Sequence, residues 1–480
     1  MIIESGVTIS GGVVFTAAAA EPANDPYFSS VTALVATTST NLANNNTFLD
    51  SSTNNFTITR FGNSTQGAYS PFPLTQAYTT ATNGGSMYFD GVADYLTTPS
   101  TAAFNFGTGN FTIECWFNIY ANSSPNPGNQ RAAALFSSVS NTTLDGYELG
   151  LLGNSTTTGT GIIFSSFING NQYAVLTVSP ISQNVWHHVA AVRSGTTLTI
   201  YLDGAVFATS ATFNYTTDSN TLVKVGAFQT QTAPQYFHYF NGYISSLRVV
   251  KGTAVYTAAF TPPTAPLTAI ANTSYLLNST NAAIYDAAAV NDFETVAQVK
   301  TSTAVVKYNS TSVVFDGTVD SVVSPTNTAF GYGTGDFTIE FWVYFTAVNT
   351  DQTLVSNLTS ASSVNPHIYK SADATIRYYT NGADRITTTA VSENTWYHVA
   401  LSRASGSTKL FVNGTQNGST YADSNNYGTS APFGLGTYWS GGSPVTSGTL
   451  QGYIDGLRIT KGVARYTANF TPPAAAFPTY

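Results

Sequence analysis
The strongest alternation of apolar and polar positions in the chain is FTIECWF at residues 111–117. Phe111, Ile113, Cys115 and Phe117 fall on one side, and Thr112, Glu114 and Trp116 on the other. A period of two places successive side chains on opposite faces of a pleated strand. The pattern returns as FTIEFWV at residues 337–343, with Phe337, Ile339, Phe341 and Val343 on the apolar side. Each strand sits in a longer unit, residues 86–117 and 312–343, in which Asp90 matches Asp316 and Trp116 matches Trp342. Both pairs lie 226 positions apart (316 − 90 and 342 − 116). Spacing is kept residue for residue, the mark of a duplicated β unit. Almost no stretch carries a helical period, so the pattern predicts an all-β chain.

Taken in order, residues 1–28 match neither copy and are expected to form an extended arm that adds to another chain by strand pairing, the alternative being a frayed terminus. Residues 31–63 and their fainter counterpart, 275–300, each predict an opening strand, a polar loop and a second strand. Short strands are predicted at 132–138, 147–152 and 161–167. VWHHVAAV at 185–192 then matches TWYHVALS at 395–402, now 210 positions apart (396 − 186). The first copy therefore holds 16 extra residues (226 − 210), assigned to surface loops at 122–130 and 154–161. Asp203-Gly204 and Asn413-Gly414 fall in one register and predict a two-residue hairpin turn, whose backbone needs positive φ. GYISSLRVVKGTAVYTAAFTPP and GYIDGLRITKGVARYTANFTPP close the copies on paired prolines. The predicted division is an arm at 1–28 and sandwiches at 29–266 and 272–475.

Composition adjusts this picture. A chain of 480 residues accommodates two β cores of roughly 200–250 residues each. Charged residues are 8% and aromatics 13%, with Thr, Ser, Asn and Gly filling the remainder, which suits half-buried sheets joined by tight turns. The net charge is −8 and no basic run exists, which argues against nucleic acid as a partner. No apolar run reaches the ~18 residues of a spanning helix, so no membrane partner is expected. The N-terminus lacks the basic start and apolar block of a secretory signal, and the Asn-x-Ser/Thr triplets are accordingly not read as glycosylation sites. Cys115 is the single cysteine and stands where the second copy has Phe341; it reads as a small core residue.

The motifs F-D-G-x-x-D-Y, F-T-I-E-x-W, W-x-H-V-A, the L-x-D-G hairpin and G-Y-I-D-G-L-R-I, in this order and twice, resemble the laminin G-like, concanavalin A-like jelly roll. The resemblance covers about residues 29–266 and 272–475, and Ser321 replaces the motif's Tyr in the second copy. It implies an all-β fold of two tandem antiparallel β-sandwiches, each two sheets packed face to face. The ending K-G-x-A-x-Y-T-x-x-F-T-P-P is similar to virion proteins of tailed bacteriophages, notably those of cyanobacteria. That implies a non-enzymatic virion protein, displayed on a capsid or tail for particle decoration or attachment to host surface glycans. Its partners would be other virion proteins, held through the arm. A carbohydrate-binding module of a secreted or surface adhesin is the alternative, and a polysaccharide hydrolase a third reading. No coiled-coil heptad enforces a trimer, and oligomeric state is left open.

Candidate chemistry is sparse. His188 and His398 share the W-x-H-V-A strand, with no carboxylate or second His expected nearby in both copies, and read as structural. His187, His238 and His367 are unmatched between copies. Glycanases place two carboxylates ~5–10 Å apart, whereas Glu114 and Glu340 stand one to a strand; both read as structural, and no catalytic residue is assigned. Asp90, Asp94, Asp316 and Asp320 form D-G-x-x-D pairs suited to turns. No cofactor is expected, with structural calcium, a common accessory of the resembled family, left open at these pairs; it needs ~6–8 oxygens. Trp116, Trp186, Trp342 and Trp396 are paired between copies and read as core. Trp439 is unpaired and lies with Tyr438 in a Gly/Ser loop whose counterpart carries Tyr236 and Tyr239. Aromatics on polar loops suit stacking on a sugar face, so Tyr236, Tyr239, Tyr438 and Trp439 are the ligand-binding candidates.

Overall fold
The computed structural model describes residues 24–120, 131–139, 145–154, 157–168, 171–177, 181–213, 222–229 and 237–480. The alternating strand Phe111–Ile119 lies between Trp186–Ser194 and Asn241–Lys251, antiparallel to both. Its copy Phe337–Phe345 lies between Trp396–Ala404 and Gln451–Lys461 in the same way. A seven-stranded antiparallel sheet backs each of these sheets. Phe111, Ile113, Cys115 and Phe117 enter the first core, and Phe337, Ile339, Phe341 and Val343 the second, all 0–1% exposed. The fold is therefore all-β, two face-to-face sandwiches, as the pattern predicts. Asp203-Gly204 and Asn413-Gly414 all take positive φ, as a two-residue turn between right-twisted strands requires. The expected loop at 154–161 is instead largely strand, because Thr157–Ile168, rich in β-branched residues, continues a long hairpin with Gly146–Asn154. The loop at 122–130 lies outside the described residues.

The polar face of the alternating strand is not open to water. Thr112 and Glu114, like Thr338 and Glu340, are fully buried. The closing motif covers them, with the Thr112 hydroxyl donating to the Thr253 carbonyl and accepting from Val255 N–H. Tyr256 and Phe260 stack at 3.6 Å on this face, as do Tyr466 and Phe470. Phe260 N–H bonds the carbonyl of the turn residue Gly204 and Phe470 N–H that of Gly414, both at 2.9 Å. The repeated ending is thus a lid strapped across each sheet. The paired tryptophans lie on this outer side, not in the main cores. Trp342 joins a satellite cluster with Val31, Leu34 and Phe477, and Trp116 sits edge-on to Phe72. Trp116 and Trp342 point outward because they fall on the strand's polar side.

The boundaries at 29 and 272 do not follow the sheets. Val31–Thr37, expected to open the first copy, pairs with Gln451–Lys461, the closing strand of the second. Thr273–Leu277, expected to open the second copy, pairs with Asn241–Lys251 of the first. The registers correspond: Leu34 faces Arg458, and Leu276 faces Arg248. Each borrowed strand is held by an aspartate of the host sandwich. Asp286 accepts from Leu34 N–H at 2.8 Å, and Asp50 from Leu276 N–H at 3.0 Å. Where the chain crosses, fully buried Asn45 donates to the carbonyls of Ile284 and Phe293 and accepts from the N–H groups of Ala283 and Ile284. Asp292, also buried, accepts from Tyr69 N–H and the Ser86 hydroxyl of the first sandwich; burial pushes its carboxyl well above the usual range. Residues 24–28, counted with the predicted arm, lie against the second sandwich. Asp25 is buried, ion-paired to Arg458 at 2.9 Å and Arg465 at 2.7 Å, because two guanidiniums on the second sandwich need a counter-charge.

The exchange predicts that the copies do not separate at residue 266. A fragment of residues 29–266 lacks Tyr275, Leu276 and Leu277, each 0–2% exposed in the whole chain. Its melting temperature should fall on the order of 10 °C below that of a fragment of residues 49–279. Thermal circular dichroism checks this, and equal melting of the two fragments would contradict the exchange.

Candidate functional site
The residues common to both copies converge on one constellation, built twice. On the outer face of the first sandwich, Glu114 receives Arg248 at 2.6 Å, His188 Nε2 at 3.3 Å and the Tyr256 hydroxyl at 2.8 Å. On the second, Glu340 receives Arg458 at 2.9 Å, His398 Nε2 at 3.3 Å and the Tyr466 hydroxyl at 2.7 Å. Each histidine therefore does have a carboxylate beside it in both copies, contrary to the sequence expectation. Facing positions on neighbouring strands bring together residues far apart in the chain. The structural reading of the four residues holds for a different reason: both the Glu and His side chains are 0% exposed. Burial alone would raise the glutamates, but His188 and Arg248 hold Glu114 below the usual carboxylate range. Arg458, His398 and Arg465 likewise outweigh burial at Glu340 and bring it down to about 2. A glutamate charged, fully hydrogen-bonded and sealed from solvent pins sheet to lid and meets no substrate.

The D-G-x-x-D pairs organise turns. Asp90 accepts from Val92 N–H, and Asp94 from the N–H groups of Asp90 and Asn63. Asp316 and Asp320 repeat this with Thr318, Asp316 and Gln298. Their oxygens are aimed at backbone donors, and among the described residues no group of three His, Cys, Asp or Glu side chains is set to hold a metal.

The loop aromatics part company. Tyr236 lies outside the described residues. Tyr239 stacks on Tyr95 at 6.3 Å, which in turn stacks on Phe61 at 4.4 Å. Trp439 turns back to its own sheet, its indole N–H donating to the Phe433 carbonyl at 2.9 Å. Tyr438 lines an open cleft of about 380 Å³ on the outer face of the second sandwich's seven-stranded sheet. Tyr369, Tyr379 and His367 line it too, with Asp351 at its edge. Their positions follow from strand geometry. His367 and Tyr369 alternate along His367–Lys370, and Tyr379 faces His367 across the ladder, while Ile368 and Tyr378 point into the core. The Tyr369 hydroxyl donates to Asp384 at 2.9 Å, and Arg377 braces the same carboxylate at 2.8 Å. Tyr379 donates to the Ala361 carbonyl at 2.7 Å. Burial pushes His367 down to about 3, so its ring is uncharged at neutral pH. The cleft thus offers tyrosine rings, backbone groups, a neutral imidazole and the Asp351 carboxylate, a mix of flat apolar faces and hydrogen-bonding groups that suits a polyhydroxylated ligand. The sequence signal for Tyr369 and Tyr379 was a Tyr at alternate positions of two adjacent strands, legible only once the pairing is known.

A laminin G-type family, described as the concanavalin A-like lectin/glucanases superfamily, matches residues 89–257 and again residues 316–465. Among solved structures, the mouse laminin alpha1 chain domains LG4-5 align at 14% identity over 84% of this chain and 99% of that one, with a TM-score of 0.28. Domain 4 of AbnA, a GH43 extracellular arabinanase from Geobacillus stearothermophilus, in complex with arabinotriose, aligns at 20% identity over 35% of this chain and 76% of that one, TM-score 0.28. The Ruminococcus gnavus IT-sialidase CBM40 bound to alpha2,3 sialyllactose aligns at 17% identity over 32% and 95%, TM-score 0.24. No curated protein sequence matches the chain.

The buried glutamate predicts a specific pH dependence. Its folded-state value of about 2 lies below the ordinary 4.5, so its contribution is complete above about pH 4.5 and is lost as pH falls towards 2. Glu340→Gln should cost about 3–5 kcal/mol near pH 7, because it removes the buried carboxylate that accepts from Arg458 and Tyr466 and leaves Arg458 with Asp25 as its remaining counter-charge among the described residues. The difference from the parent should shrink between pH 4.5 and 2. Urea denaturation at a series of pH values measures both.

Proposed function
The chain belongs to the concanavalin A-like lectin/glucanases superfamily in both of its halves, and from that premise we propose that it is a non-enzymatic, glycan-binding display protein of a virion. The observation that carries glycan binding is the cleft of Tyr369, Tyr379 and Tyr438. Fixed aromatic rings beside hydrogen-bonding groups match a sugar, with its apolar ring faces and polar hydroxyls. Glycoside hydrolysis calls for two carboxylates ~5–10 Å apart across an accessible bond; Glu114 and Glu340, by contrast, are enclosed beneath the repeated lids. The virion assignment rests on the resemblance of the repeated K-G-x-A-x-Y-T-x-x-F-T-P-P ending to tailed-phage particle proteins. Residues 1–23, which precede the docked Asp25, supply the anchoring arm that partners other particle proteins. A secreted or surface adhesin would use the same cleft and differ only in where the sandwiches are displayed.

Two outcomes follow. Tyr379→Ala with Tyr438→Ala should weaken binding to glycans captured on an array by at least about tenfold, ~1.4 kcal/mol. Titration calorimetry reads the change, and undiminished affinity removes the cleft from the reading. Deleting residues 1–23 should leave the melting temperature intact while the protein is lost from purified particles. Normal incorporation would count against the arm.

A further inference from the structure
The packing of the two sandwiches creates a second concavity, of about 520 Å³, whose walls come from both. Tyr69, Asn118, Tyr120 and Asn184 contribute from the first sandwich, and Asn327 and Thr328 from the second. Its size is within the ~300–1,000 Å³ of small-molecule sites. Its chemistry is unusual for a gap between domains: among the described residues no ionisable side chain other than tyrosine lines it, and Val290 is the one aliphatic residue. Asn118 is 1% exposed; its amide N–H donates to the Tyr69 hydroxyl at 3.1 Å, while its carbonyl oxygen has no partner. A buried acceptor left unmatched costs about 1–3 kcal/mol and calls for a donor from outside the fold. The Tyr69 hydroxyl, having accepted from Asn118, keeps its own proton to offer. Tyr120 is held edge-on to Tyr243 at 5.4 Å, and Asn184 sits in left-handed backbone with φ of 59°.

We propose that this groove is a second glycan site, composite between the sandwiches and selective for uncharged sugar chains. Donors and acceptors without formal charge, set beside two tyrosine rings, are matched by hydroxyl groups. A peptide would need apolar pockets for its side chains, which Val290 alone does not provide. Anionic sugars are disfavoured, since among the described residues no cation lines the groove to pair with a carboxylate or sulfate. The inference does not rest on the Tyr438 cleft, and its test removes that cleft first.

The experiment uses the full chain carrying Tyr379→Ala and Tyr438→Ala. Neutral hexasaccharides of glucose, xylose, mannose and N-acetylglucosamine are titrated by calorimetry, alongside sialyllactose and a heparin hexasaccharide. At least one neutral chain should bind with one site per molecule, and the two acidic sugars should bind at least tenfold more weakly. Asn118→Leu, which keeps the branching at Cγ and removes both polar atoms, should weaken the neutral sugar at least tenfold. Should that variant fail to fold, Asn184→Gly, which the local backbone accepts, should weaken it several-fold at unchanged melting temperature. Absence of any neutral binder, equal binding of acidic sugars, or indifference to the folded variants overturns the proposal. None of these results bears on the cleft, which the parent chain and its Tyr379 and Tyr438 variants test separately.

Discussion
A sheet edge is a row of main-chain donors and acceptors that must be paired or covered, and this requirement shapes the whole molecule. The strand that completes the inner edge of each sandwich comes from the other copy's share of the chain. Everything at the junction serves that arrangement. Asp50 and Asp286 fix the borrowed strands through their N–H groups, and Asn45 satisfies four backbone groups at the crossing. Asp292 reaches from one sandwich into the other. Without these polar contacts the crossing chains would leave buried main-chain groups unpaired.

Each sandwich then solves a second problem, the burial of its own outer face, with the same four letters. A glutamate at the centre of the sheet accepts from an arginine and a lid tyrosine and has a histidine 3.3 Å away, all from motifs that recur in both copies. Buried ion pairs are weak stabilisers compared with apolar packing, and their best-attested role is to specify one arrangement. Here the glutamate selects the lid that carries the matching tyrosine and fixes where it lies on the sheet.

Much of the architecture was legible in the sequence. The alternation at Phe111–Ile119, the Asp-Gly and Asn-Gly turns and the duplicated spacing each express a local rule, period or backbone sign, and the structure follows them. What failed was non-local. No local rule says which closing strand Val31–Thr37 will join, since both candidate partners present the same register and similar residues. Trp116 and Trp342 were expected in the cores because they recur; their place on the polar side of the alternation puts them on the outer face of the sheet, where Trp342 is buried in a smaller cluster of its own. His188 and Glu114 are 74 residues apart in sequence (188 − 114) and meet only across a ladder. Of the loop aromatics chosen from composition, Tyr438 lines the cleft, but its companions Tyr369 and Tyr379 lie on strands and were hidden by the pattern they share with ordinary sheet residues.

The reciprocal gift of strands also limits how this architecture can grow. Domains that are strung like beads can be multiplied, deleted or shuffled one at a time. Here the first copy completes the last and the last completes the first, so the pair forms a closed circuit with no free socket. Among the described residues, both edges of this kind are already taken. New specificity must therefore arise by changing the loops of an indivisible couple, or by duplicating the couple entire.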